Sequence, residues 1–96
     1  MSKSQSFKYR KGTTQWKLAK KNADKLGVTI EPSTRKYKKL DVFDRKGNYL
    51  ASIGDNRYSD YNYHRDKQRR QRYKSRHEKD RHRRNSPGYF ADKILW

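Results

Sequence analysis

A long and strongly cationic segment constrains the fold of this chain more than any other feature. Between Tyr63 and Pro87 the only apolar residue is Tyr73, and residues 65–84 contain eleven Lys or Arg against three Asp or Glu. A helix this polar cannot be held in place by a broad apolar face. It must therefore depend on a few specific contacts or be completed by a negatively charged partner.

The composition indicates a single small basic domain. Only 29% of the 96 residues are hydrophobic, so the attainable core is small. A net charge of +17 raises the local concentration of polyanions, which makes DNA, RNA and acidic protein surfaces the natural partners. The chain has no cysteine, which excludes disulfides and thiolate zinc sites. We expect no secretion and no membrane association, because neither an apolar leader nor a spanning or amphipathic segment is visible.

The first half of the chain predicts an arm followed by a helix. Residues 1–12 are expected to form a flexible basic arm, and residues 13–96 a single domain. A helix is predicted from about Thr14 to Leu26, with Thr13 or Thr14 as its N-cap and Gly27 just past its end. Its apolar residues recur at helical spacing and form one narrow stripe: Trp16, Ala19, Ala23 and Leu26.

The middle of the chain predicts β-structure. The sequence VTI at 28–30 favours a short strand that stops at Glu31-Pro32, and residues 32–39 read as a basic loop. The alternating sequence KLDVFD-RKGN-YLASIG predicts a β-hairpin with strands 39–43 and 49–53. Gly47 occupies the turn position that requires a positive φ.

The second half predicts helices. After an aromatic turn at 58–64, Asp66 is expected to cap one long cationic helix to about Arg84. That helix has two candidate ion pairs at four-residue spacing, Asp66–Arg70 and Asp80–Arg84. Residues 85–88 end it, and the apolar sequence YFADKILW forms a short final helix. The fold class is therefore α+β, with a predicted core of Trp16, Leu40, Val42, Ile53, Tyr73, Phe90, Ile94, Leu95 and Trp96.

Residues about 37–96 carry a recognisable pattern. Its elements are Gly54, Tyr58-Ser59-Asp60-Tyr61, His64, Asp66, Arg72-Tyr73, Arg76-His77, Gly88-Tyr89-Phe90 and Leu95-Trp96. This pattern resembles a family of short basic proteins, a domain of unknown function, encoded by large eukaryotic DNA viruses of the phycodnavirus and mimivirus type. The resemblance implies a viral origin and a recurring small scaffold, but it implies no activity.

The cationic helix is the first candidate site. Cations surround its axis, and arginine, whose planar guanidinium suits phosphates, outnumbers lysine. Phosphate neutralisation would make binding strong at low salt and steeply salt-dependent. The alternatives are an acidic protein partner and a solvated helix without a ligand. The predicted phosphate contacts are Arg69, Arg70, Arg72, Lys74, Arg76, Arg81, Arg83 and Arg84, with a second tier in the loop (Arg35, Lys36, Lys38 and Lys39) and the arm (Lys8, Arg10 and Lys11).

Tyrosines next to arginines form a second candidate site. Tyr58, Tyr61 and Tyr63 can stack unpaired bases, since aromatic faces among cations are typical of single-strand binding. The alternative, which the sequence favours, is that these rings belong to the core, because the segment has little else to bury.

Catalytic chemistry finds little support in the sequence. Asp60, His64 and Asp66 could be read as a metal or acid–base cluster, but the predicted strands have no histidine, as a ββα-metal nuclease would require. Asp60 and Asp66 are better read as helix caps or partners of arginines, and His64 as a packing residue. We therefore expect no metal, no cofactor, no small-molecule ligand and no enzymatic activity.

The sequence therefore favours a non-enzymatic, sequence-unspecific nucleic-acid-binding protein of a large DNA virus. It would act in genome condensation or packaging, in the virion, the host nucleus or a cytoplasmic virus factory. The alternative is a minor capsid or cement protein whose charge pairs with acidic shell proteins, and a metal-dependent nuclease is the third and weakest candidate.

Overall fold

Five helices and three strands follow one another along residues 7–96, the part of the chain that the computed structural model describes. Their bounds are α1 Thr14–Leu26, β1 Thr29–Pro32, β2 Leu40–Phe43, β3 Tyr49–Ile53, α2 Tyr61–His64, α3 Lys67–Arg76, α4 Glu78–Arg81 and α5 Pro87–Leu95. This arrangement confirms the predicted α+β class. Within residues 7–96 no helix combines the length and the apolar character that a membrane span requires.

Helix α1 begins and ends where its sequence signals predicted. The Thr13 side chain accepts a hydrogen bond from the backbone N–H of Trp16, and Gly27 adopts the left-handed conformation at a φ of 76°. The Gly27 N–H then donates to the carbonyls of Ala23 and Asp24, which closes the last turn. Ala19 and Ala23 of the predicted stripe are fully buried.

The strands form one antiparallel sheet in the order β1-β2-β3. The predicted hairpin is confirmed as β2 and β3, with Leu40 opposite Ile53 and Val42 opposite Ala51. These residues alternate along their strands and point to one face, which is buried. Strand β1 starts one residue later than predicted, at Thr29, and continues through Glu31 to Pro32, which an edge strand tolerates.

The core lies between this face of the sheet and helices α1 and α5. Six of the nine predicted core residues are buried, namely Leu40, Val42, Ile53, Phe90, Ile94 and Leu95. Trp16 and Trp96 are only partly buried and pack against the core from outside. Tyr73 is also only partly buried and lies apart from this cluster, so its inclusion in the core was wrong.

The chain before α1 is packed rather than free from residue 7 onwards. The Tyr9 side chain is only 2% exposed, the Phe7 N–H donates to the Asn56 carbonyl at 2.7 Å, and the Tyr63 hydroxyl donates to the Lys8 carbonyl. The packed domain therefore starts before residue 13, and the predicted arm is too long. Residues 1–6 of that arm lie outside the described part of the chain.

The cationic segment is not one long helix, contrary to the prediction. Asp66 caps α3 as expected, because its carboxylate accepts from the N–H groups of Gln68 and Arg69. His77, with φ −107° and ψ 21°, then interrupts the helix between α3 and α4. Neither predicted ion pair of this segment is present among residues 7–96.

Candidate nucleic-acid interface

Helices α3 and α4 contain no buried residue and are attached to the domain by polar contacts. The Lys74 Nζ donates to the Asp92 carboxylate of α5 at 2.6 Å, and this carboxylate is almost completely buried. The Arg81 guanidinium lies 3.8 Å from the other oxygen of Asp92. The Arg70 Nε donates to the Trp96 carbonyl at 2.6 Å. The polar segment therefore depends on a few specific contacts, one of the two possibilities that its sequence allowed.

A stack of aromatic rings also attaches the cationic segment to the rest of the domain. The rings of Tyr73 and Trp96 lie parallel, with centroids 4.2 Å apart, and His77 covers the other face of Tyr73 at 4.3 Å. Burial of its hydroxyl raises the pKa of Tyr73 to about 12. The single apolar residue of the cationic segment is therefore its anchor.

Most of the predicted phosphate contacts remain available. Arg70 and Lys74 are engaged by the Trp96 carbonyl and the Asp92 carboxylate. The Arg81 guanidinium donates two hydrogen bonds to Glu78 of its own helix, in addition to lying 3.8 Å from Asp92. The other five carry exposed guanidiniums without an ion pair or side-chain hydrogen bond in the part of the chain that the structure describes; they are Arg69, Arg72, Arg76, Arg83 and Arg84.

Three of these arginines line a cleft of about 540 Å³. Arg69, Arg72 and Arg76 follow one another at spacings of three and four residues, which places them on one side of α3. A second wall is formed by the β3–α2 loop, with Gly54, Asp55, Tyr58 and Ser59. Apolar groups of α5 and the ring stack complete the lining: Tyr73, Ala91, Leu95 and Trp96. The cleft, which we call the arginine cleft, therefore combines cationic, aromatic and aliphatic surface.

The carboxylate on the wall of the arginine cleft, Asp55, already has a cationic partner. Both oxygens of Asp55 accept hydrogen bonds from the Arg57 guanidinium, at 2.9 and 2.7 Å. These bonds lower the pKa of Asp55 to about 2 and keep it ionised. Asp55 therefore does not offset the positive charge that Arg69, Arg72 and Arg76 bring to the cleft.

The cations of the β1–β2 loop differ in their surroundings. The Arg35 guanidinium lies 5.0 Å from the Tyr49 ring, the Lys36 ammonium 5.1 Å from Tyr37, and Lys38 is exposed. Lys39 is only 3% exposed and its Nζ donates to Asp60 at 2.7 Å. Lys39 is thus unavailable to an external phosphate, contrary to the prediction.

The predicted second-tier cations before α1 are Lys8, Arg10 and Lys11. All three are exposed, and Lys11 is paired with Glu31.

Lys39 belongs to a buried network that the sequence did not predict. The Tyr9 hydroxyl donates to both oxygens of Asp60 at 2.9 Å, and the Asn62 amide donates to the Tyr9 oxygen. Asp60 also caps α2 by accepting from the Tyr63 N–H. Burial lowers the pKa of Lys39 despite the adjacent Asp60, and burial together with Asp60 raises the pKa of Tyr9. The expected capping role of Asp60 is confirmed, but its cationic partner is a lysine rather than an arginine.

The three candidate stacking tyrosines have different environments. Tyr58 is 66% exposed and lies on the wall of the arginine cleft. Tyr61 is half-buried beneath the guanidiniums of Arg65 and Arg70, at 4.3 and 5.2 Å. Tyr63 packs edge-to-face against Phe7 and Tyr9, which supports the core interpretation for this ring. Tyr58 is therefore the one of the three whose ring is largely open to a ligand.

His64 packs next to the ring stack. Its Nδ1 accepts from the Asp66 N–H at 2.9 Å, and its ring lies 5.3 Å from that of Trp96. Burial and, to a smaller extent, Arg69 lower the pKa of His64. Over residues 7–96 no three His, Asp or Glu side chains lie close enough together to hold a metal ion.

The fold and the cleft define a small basic α+β domain with a cationic helical face. Residues 28–77 match the family described as a family of unknown function (DUF5754), and the chain belongs to this family. The matched region runs from just before β1 to His77, so it starts and ends earlier than the region 37–96 expected from the resemblance. It includes the sheet, the β3–α2 loop and α3, but not α5. Comparison with curated proteins and with solved structures gave no match.

Proposed function

We propose that this protein is a non-enzymatic nucleic-acid-binding protein without base specificity. The observation that carries the proposal is the group of five exposed arginines on α3 and after α4 that have no partner within residues 7–96. Guanidinium groups form paired hydrogen bonds with phosphate oxygens, so such a surface suits a phosphate backbone. The remaining loop cations, Arg35, Lys36 and Lys38, extend the set.

The distribution of charge supports this proposal against a purely structural role for the cationic segment. Only three of its cations contact α5 or Trp96 among the described residues: Arg70 and Lys74 by hydrogen bonds, and Arg81 by an ion pair at 3.8 Å. The other arginines add mutual repulsion to a domain that already carries a net charge of +17. A polyanion would remove that repulsion and release its own counterions on binding.

The arginine cleft supports a nucleic acid over an acidic protein. An acidic protein surface would need only the cations, whereas a nucleic acid also offers aromatic bases to the apolar groups that line the cleft. The resemblance to proteins of large DNA viruses adds the proposal of a viral origin, with a role in the virion or the infected cell. In that setting we propose that the protein condenses or packages nucleic acid.

The test is a titration of the full chain against duplex and single-stranded DNA at several salt concentrations. We expect the logarithm of the affinity to fall linearly with the logarithm of the salt concentration, with a slope of about −0.9 per neutralised phosphate on duplex DNA. A flat line, or no binding at low salt, would exclude the proposal. Recovery of the protein with shells emptied of nucleic acid would favour the capsid role instead, and cleavage of a plasmid in the presence of divalent metal would favour a nuclease.

A further inference from the structure

The arginine cleft combines cationic surface with apolar and aromatic surface. Arg69, Arg72 and Arg76 line it from α3, and apolar and aromatic groups complete the lining. A nucleotide likewise places an anionic phosphate at one end and a flat aromatic base at the other. Resting on the proposed function, we infer that the arginine cleft binds unpaired nucleotides within a single strand.

The size of the cleft fits this assignment. Its volume of about 540 Å³ lies in the range of about 300–1,000 Å³ that is usual for ligand pockets. The distance along α3 from Arg69 to Arg76 is about 10 Å at 1.5 Å per residue. Three guanidiniums spread over this length can contact the phosphates of neighbouring nucleotides in one strand.

The aromatic groups explain why the strand should be unpaired. Both faces of the Tyr73 ring are occupied, one by Trp96 and one by His77, so this ring offers no free face to a ligand. Tyr58 on the second wall is 66% exposed and has no ring stacked on it among the described residues. A base in a duplex presents its edges, because its faces are covered by its neighbours, whereas an unpaired base can stack on a tyrosine.

The residues next to Tyr58 in the β3–α2 loop leave its ring accessible. Arg57, the cation closest to the Tyr58 ring, lies 5.9 Å from its centroid and is held by Asp55 through two hydrogen bonds. A base placed on Tyr58 therefore displaces no ion pair. Its phosphate would lie within the same cleft, which is also lined by three guanidiniums without partners in the described chain.

The experiment compares Tyr58→Ala with Tyr58→Phe in the full chain, with three ligands of similar charge at one salt concentration. The ligands are a single-stranded oligothymidine, a duplex and inorganic polyphosphate. We expect Tyr58→Ala to weaken binding of the oligothymidine about tenfold, since one base–aromatic stack has about this effect, and to leave the duplex and polyphosphate nearly unchanged. Tyr58→Phe should retain the affinity, because stacking requires the ring and not the hydroxyl.

Two further arms locate the ligand. In a Trp16→Phe background Trp96 is the only tryptophan, and we expect oligothymidine, but not polyphosphate, to change its fluorescence. Free thymidine monophosphate should compete only at concentrations far above those of the oligothymidine, because it supplies one phosphate. Competition at equal concentration would overturn the assignment to a strand.

The outcomes separate this inference from the proposed function. If Tyr58→Ala leaves the oligothymidine affinity unchanged, or weakens all three ligands equally, the single-strand assignment is wrong and salt-dependent binding of nucleic acid can still stand. If none of the three ligands binds, the proposed function fails as well. Because Tyr58 is exposed, its variants are expected to melt like the parent chain, which the same samples can verify.

Discussion

The sheet with α1 and α5 and the cationic segment with α3 and α4 are built on opposite principles. The first is held by a cluster of buried apolar side chains that includes Ile30, Leu40, Val42, Phe90 and Ile94. The second contains no buried residue and is attached through one ring stack and a few charged hydrogen bonds. The contrast is that the internal contacts of the described chain leave five of these arginines unpaired, and we propose that they serve a partner.

The two regions also use charge differently. In the core, Lys39 and Asp60 are both withdrawn from water and satisfy each other. On the cationic segment, Arg69, Arg72 and Arg76 remain exposed at the edge of a cleft. A charge therefore serves the fold where it is buried and paired, and is free for binding where it is exposed and unpaired.

Removal of residues 94–96 should have the largest effect on stability, because it deletes contacts in both regions. Ile94 and Leu95 are 0% and 1% exposed, and Trp96 supplies the ring and the carbonyl that hold α3. Loss of one buried aliphatic side chain typically costs about 2–5 kcal/mol, so two such losses approach the stability of a small domain. We expect no cooperative thermal transition by circular dichroism. Leu50→Ala, at an exposed position, is the control, and unchanged melting of the shortened chain would refute the account.

Asp60→Asn should have the next largest effect on stability, and it should act only through the buried contacts of the core. It leaves the Lys39 ammonium buried without a counter-charge, which typically costs about 3–5 kcal/mol. Urea unfolding measures this change. The matched control is Asp24→Asn, which removes an exposed pair with Lys20 and should cost about 0–1 kcal/mol. Equal stabilities of the two variants would show that the buried network contributes little.

Asp92→Asn should loosen the cationic segment while the sheet stays folded. The Lys74–Asp92 bond involves a buried carboxylate, and hydrogen bonds to charged groups contribute about 1.5–3 kcal/mol. We expect amide hydrogen exchange in α3 to accelerate by one to two orders of magnitude on that basis, with little change in β2 and β3. Asp80→Asn, at an exposed position of α4, is the control. Uniform acceleration across the domain would contradict the separation of the two regions.

The pH dependence of stability should show a smaller effect that originates at the junction of the regions. The pKa of His64 is lowered in the folded state, so the unfolded chain binds a proton first as the pH falls below about 6.5. Stability should therefore be complete above pH 6.5 and decrease towards pH 5, with a melting temperature lower by on the order of a few degrees. His64→Gln should remove this part of the decrease, whereas His82→Gln at an exposed site should retain it. A decrease that is identical in both variants would argue against this role of His64.

Local signals predicted the regular elements of the core well. The Thr13 cap, the apolar stripe and Gly27 determine α1 within one continuous segment, and strict alternation around Gly47 determines the hairpin. Each of these devices acts between residues close in sequence, so the sequence alone reveals it. The same holds for the Asp66 cap of α3.

Contacts between distant residues escaped prediction. Tyr9 and Lys39 meet Asp60 across 51 and 21 positions, and no periodicity marks such a contact. The helix break at His77 has no local breaker either. Helices α4 and α5 approach each other closely, because a Cβ atom at Gly88 would lie 3.0 Å from the Asp80 side chain. This contact between the two helices is not visible in the sequence. The arginine cleft likewise depends on tertiary structure, because α3 and the β3–α2 loop form its two walls.

The salt dependence of DNA binding by two charge-matched triple variants tests the central claim most directly. One variant replaces Arg69, Arg72 and Arg76 with Gln, and the other replaces the exposed Lys17, Lys21 and Lys25 of α1 with Gln, so that both lose the same charge. Each lost phosphate contact should reduce the slope of log affinity against log salt by about 1. We predict a slope shallower by about 2–3 for the arginine variant and by less than about 1 for the lysine variant. Equal slopes in the two variants, or an unchanged slope in the arginine variant, would contradict the claim that the free arginines of α3 bind the polyanion.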